Sequence, residues 1–113
     1  LSLHDALPIL PSKGETVLVN PYSFESRPLI HLNGNGTGTL TIDNENGRHE
    51  WTFSNIDEFI EIDSEKMCFY KDNTLKNDTV TGTGFPLLVR GENRFILGGG
   101  ITDGSVFPRW CSL

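Results

Sequence analysis

A few stretches of the 113-residue chain carry side chains of the types that do chemistry. The acidic run Asp57, Glu58, Glu61, Asp63 and Glu65 offers carboxylate pairs, the groups that hydrolyse glycosides. On a strand, the two-residue period sets Glu61 and Asp63 on one face, roughly 7 Å apart. A solvated strand face has that same pattern, and nothing in the sequence marks a cleft around it. "NGNGTGT" spaces glycines at 34, 36 and 38. A phosphate-binding loop needs such glycines to run into a helix N-terminus, whose free N–H groups hold the anion; here an alternating, strand-like run follows. "DNENG" carries Asp43 and Glu45, but a calcium loop needs a glycine sixth and a bidentate glutamate twelfth, and Gly47 stands fifth. His31 and His49 have no Cys or His at zinc-ligand spacing. No nucleophile elbow is present to seat a catalytic serine. The reading is a chain with no catalytic residue, no metal site and no cofactor.

One short run is sharper. "HLN" places His31 and Asn33 two residues apart, hence on one face of a strand. This resembles part of the galectin sugar-binding run, His-x-Asn-x-Arg, which a Trp follows to stack on the sugar ring. Residue 35 is Asn rather than Arg, and Trp51 falls on the apolar side of its own alternation. His31 and Asn33 are the glycan-binding candidates, and a carbohydrate-binding module for host cell-wall glycan is the alternative function.

The elements that must position these residues are strands. "GTLTID" alternates Leu40 and Ile42 with Thr39, Thr41 and Asp43; "HEWTFS" alternates Trp51 and Phe53 with Glu50 and Thr52. Such a period of two gives one dry and one wet face. "NENG" between the runs predicts a hairpin, since Asn and Gly accept positive φ at low cost. "FIEID" sets Ile60 and Ile62 against Glu61 and Asp63. "TVLV" and "PLIHL" precede these runs; "NRFILG" and "SVFPRW" follow, with Pro108 predicting an edge or a bulge in the last. "NGNGTG", "TGTGFP", "RGEN" and "LGGG" read as turns. The one helical candidate is "DSEKMCFYK", capped by Asp63 or Ser64. Seven to nine short strands with Gly-rich turns define an all-β antiparallel sandwich or barrel with at most one short helix. Leu40, Ile42, Trp51, Phe53, Ile60, Ile62, Phe95 and Leu97 are its expected core.

Composition sets outer bounds. Apolar residues make up 36% of the chain and aromatics 10%, enough for one packed domain. The formal net charge of −6 works against nucleic acid, whose phosphates need Lys and Arg, and against an anionic membrane surface. No apolar run approaches the ~20 residues of a membrane-spanning helix. Cys68 and Cys111 read as reduced thiols, with one disulfide between them left open. Asn35 and Asn77 head N-x-S/T triplets, which in so Asn- and Thr-rich a chain read as chance.

Four strings in order carry a resemblance that covers residues 19–113. "VNPYSFESRPLI", "NIDEFIEIDSE" with "YK" shortly after, "GFPLLVRGEN" and the terminal "PRW" resemble the C-terminal domain of the distal tail protein, the tail-hub component of siphophages infecting Gram-positive bacteria. The resemblance implies a galectin-like sandwich of jelly-roll type. It implies a structural role at the virion tail tip, after assembly in the bacterial cytoplasm, with the tail tube, the tail-associated lysin and receptor-binding proteins as partners. It implies a homohexameric full-length protein whose ring-forming N-terminal domain is missing here, so that this chain alone is expected to be monomeric. Cys111, Ser112 and the Gly-rich "LGGGITDGSVF" depart from the family pattern. The opening "LSLHDALPI" has no basic segment like that of a signal peptide and resembles a translated sequencing adapter. Residues 1–9 are therefore expected to be non-native and poorly packed, and 10–18 a residual interdomain segment or first strand.

Overall fold

The computed structural model describes residues 9–10 and 15–111. In chain order its strands are β1 (Ile9–Leu10), β2 (Glu15–Asn20), β3 (Leu29–Asn44), β4 (Gly47–Asp63), β5 (Cys68–Lys71), β6 (Thr74–Leu75), β7 (Val80–Thr81) and β8 (Gly91–Phe107). A 3-10 turn at Asn77–Thr79 is the only helical element among the described residues. Every pairing is antiparallel. The strand order is β1-β8-β3-β4-β5-β6, with β2 also on β8 and β7 also on β4. The fold is an all-β antiparallel sandwich.

Its two layers are built largely from the same three strands. β3, β4 and β8 run for 16, 17 and 17 residues, far beyond the usual strand of about six. In one layer β2, the first half of β8, the second half of β3, the first half of β4 and β7 lie side by side, with Ile42 opposite Phe95 and Leu40 opposite Trp51. In the other, β1, the second half of β8, the first half of β3, the second half of β4, β5 and β6 do so, with His31 opposite both Ser105 and Glu61. A strand that serves two layers must turn a corner, by bulge or bend. β3 shifts register between Gly36 and Gly38. β4 bends where Asn55 and Glu58 take φ of 56° and 72°, and β8 where Gly99 takes 64°. At the β3–β8 corner the backbones touch: a Cβ on Gly34 would collide with the Gly100 carbonyl, and one on Gly100 with that of Asn35.

Between the layers lies one apolar cluster. Leu40, Ile42, Trp51, Phe53, Ile60, Ile62, Phe95 and Leu97 are all buried in it, with Leu10, Ile30, Leu32, Phe69, Ile101 and Val106. Phe53 meets Phe69 edge-on at 6.1 Å, joining the two layers.

The structure revises several local expectations. "NGNGTG" and "LGGG" are corners inside continuous strands rather than turns between short ones. "DSEKMCFYK" is not a helix: β4 ends at Asp63, Ser64–Met67 turn with Met67 at φ 55°, and β5 pairs back onto β4. The cap survives without its helix, since Asp63 Oδ1 accepts from the Lys66 N–H at 3.1 Å. Burying Phe69 by strand pairing outweighs two turns of unsupported helix. β8 is central rather than an edge, and simply stops at Phe107, one residue before Pro108. In the "NENG" hairpin Gly47 alone takes positive φ, while Asn44 Oδ1 accepts from the Asn46 N–H. Thr41, expected on the wet face, is buried between its neighbours Ile96 and Glu50. Ile9 pairs with Ser105, and Leu10, buried, with Gly104; the expectation for residues 1–8 lies outside the described residues.

Polar clamps tie the connecting loops to this frame. Buried Asn93 donates to the carbonyls of Leu18, Val89 and Gly91 and accepts from the Val89 N–H and Asn44 Nδ2. Buried Asn20 donates to the carbonyls of Phe24 and Leu88 and accepts from the Tyr22 N–H. Ser26 and Leu88 exchange two backbone hydrogen bonds of 3.0 Å. Arg109 grips Asp63 through both nitrogens, at 2.7 and 3.2 Å.

Candidate functional site

The outward face of the layer containing β1 and β5 gathers the polar and aromatic side chains that sequence spacing only hinted at. Strand register lays them in rows. Asp103, Asn33 and Phe59 form one; Ser105, His31, Glu61 and Tyr70 the next; Phe107, Leu29, Asp63 and Cys68 a third. Each row holds one residue from each of several adjacent strands, because all these positions share the parity that points away from the core.

His31 and Asn33 stand together here, within a chain of hydrogen bonds. Asn33 Nδ2 donates to Asp103 Oδ1 at 2.7 Å. A carboxylate accepts only, so the amide nitrogen must face Asp103 and the amide oxygen His31. His31 Nε2 therefore donates to Asn33 Oδ1 at 2.9 Å, and Nδ1 lies 3.3 Å from Glu61 Oε2. The His31 ring also stacks on Phe59, with centroids 4.9 Å apart. Lys71 Nζ sits 5.2 Å from the centroid of Phe59 and bridges Asp57 and Glu58 at 3.5 and 3.8 Å. Phe59 is thus enclosed by partners of its own. A groove of about 330 Å³ runs beside this network, lined by Leu29, His31, Glu61, Ser105 and Phe107.

Glu61 and Asp63, the carboxylates that the two-residue period sets on one face, part company. Glu61 faces His31, while Asp63 is withdrawn from water by Arg109. That guanidinium's hydrogen bond holds the Asp63 carboxyl below its ordinary range, against an upward push from burial. Asp63 in turn raises Arg109. Burial, then the charges of Glu61 and Asp63, raise the Tyr70 phenol, so it remains a hydrogen-bond donor. Phe59, Tyr70, Asp103, Ser105 and Phe107 are the members of this face that motif reading missed. The signal for them is cross-strand register, which needs the pairing partners to be known.

His49 lies elsewhere. It pairs with Ile42 at the mouth of the core, beside a cavity of about 230 Å³ lined also by Trp51, Phe85 and Leu87. Trp51 is buried, and its Nε1–H donates to the Gly84 carbonyl at 3.0 Å, so it is not available to stack on a sugar. Cys68 is half-buried and Cys111 exposed, both free thiols. Among the described residues no group of three or more His, Cys, Asp or Glu is placed to hold a metal ion. No helix among them is long and apolar enough to cross a membrane.

Fold and site together define an antiparallel β-sandwich with one polar and aromatic sheet face. No protein-family model, curated protein or solved structure matches the chain.

Proposed function

We propose that this chain is the outer, C-terminal domain of a siphophage distal tail protein, a non-enzymatic component of the tail tip. In that setting it helps join the tail tube to the tail-associated lysin and the receptor-binding proteins. One observation supports the reading above others: the four strings that resemble the family hold the residues that clamp the sandwich. "VNPYSFES" supplies Asn20 and Ser26; "GFPLLVRGEN" supplies Leu88, Val89 and Asn93; "NIDEFIEIDSE" supplies Asp63; and "PRW" supplies Arg109. Matches at positions that determine a fold mark common architecture more strongly than matches at solvent-facing positions do.

The DNA on either side of the coding sequence tests this. A tape-measure gene upstream and a tail-lysin gene downstream are expected. A cellular operon with no tail genes would overturn the reading.

A further inference from the structure

We infer that the groove between Phe107 and Glu61 is a binding site for a neutral saccharide. This goes beyond the tail-tip role and does not depend on it. The floor is the row Ser105, His31, Glu61. The apolar wall is Leu29 with Phe107, which is 38% exposed although it ends a central strand. A sugar ring has matching halves: C–H groups that pack on an aromatic ring, and hydroxyls that both donate and accept.

The donors and acceptors fit that ligand. Glu61 uses Oε2 toward His31, and Asp103 uses Oδ1 toward Asn33. Glu61 Oε1 lies outside its contact with His31 and accepts from a hydroxyl group. The Ser105 hydroxyl donates or accepts alongside. The His31–Asn33–Asp103 chain fixes the imidazole and the carboxylates before a ligand arrives, which lowers the ordering cost of binding. Asn33 is thus a positioning residue rather than a contact.

Charge narrows the class. Glu61 lines the groove, and the neighbouring lysine and arginine are engaged: Lys71 by Asp57 and Glu58, Arg109 by Asp63. An anionic sugar or a phosphate would meet the Glu61 carboxylate without a compensating Lys or Arg.

Titration of the chain with lactose, cellobiose and chitobiose, followed by amide chemical shifts, tests the site; D-glucuronate is the anionic control. At least one disaccharide should shift the resonances of His31, Glu61, Ser105 and Phe107. Glu61→Gln and Phe107→Ala should each weaken binding about ten-fold or more, as loss of a charged hydrogen bond or of an aromatic platform does. His49→Ala, at the other cavity, should leave affinity unchanged, and thermal melts of each variant should show a folded chain. Shifts confined to the His49 cavity, binding indifferent to both groove substitutions, equal binding of glucuronate, or no response to any of the three disaccharides would each overturn the inference.

Discussion

At Asp63, a carboxylate that in sequence is one more acid in an acidic run holds the end of the chain in place. Its partner Arg109 follows Pro108 and adopts a φ of 55°, a conformation that the two-pronged contact must hold. The Asp63 pKa is lower folded than unfolded. The pair's stabilisation is therefore complete above the unfolded value of about 4 and is lost as pH falls through the lowered folded value. Arg109→Ala should cost about 2 kcal/mol at neutral pH, somewhat less than a fully buried pair because Arg109 is partly solvated. Urea unfolding at several pH values checks this: the gap between variant and parent should shrink toward pH ~2 as Asp63 protonates, and a constant gap would contradict the assignment. Asn93→Ala strands buried loop carbonyls and the Val89 N–H, and should cost about 3 kcal/mol in the same assay.

At the scale of elements, the corners decide whether two layers form. Gly100→Ala drives a methyl group into the Asn35 carbonyl where β3 and β8 cross. Backbone cannot yield there, so a loss of about 3 kcal/mol or more is expected. Gly36 also lies in the β3 bend, at φ 78°, yet a Cβ there meets nothing within 4 Å; Gly36→Ala should cost only about 1 kcal/mol, the left-handed penalty. Thermal melts of the two variants separate close approach from conformational strain. The same corners mark what was legible in the sequence. Alternation around Leu40, Ile42, Trp51 and Phe53 showed the strands and their inner faces, because period two is a local property. Whether "NGNGTG" ends a strand or bends one is not local. Glycine serves a turn and a corner equally, and the choice rests on "LGGG", some sixty positions away, lying against it. The site divides in the same way. His31 and Asn33 were legible as a same-face pair from spacing alone, but Asp103, Ser105 and Phe107 join them only through the β3–β8 register.

For the whole molecule, the pairings that close the sandwich join distant parts of the chain. β1 and β2 both add to β8, so residues near one end wait for those near the other. Loop-closure entropy must be met before these contacts form, which places folding in the millisecond-to-second range of non-local β topologies. Stopped-flow Trp fluorescence checks this; microsecond folding would contradict the register. The chain's formal net charge of −6 works toward mutual repulsion between copies in solution. The tail-tip account is tested most directly by the mass of the full-length protein encoded by the reading frame that contains this chain. Mass photometry should find six subunits, and electron microscopy a ring from which this sandwich projects; a full-length protein that remains monomeric would contradict the account.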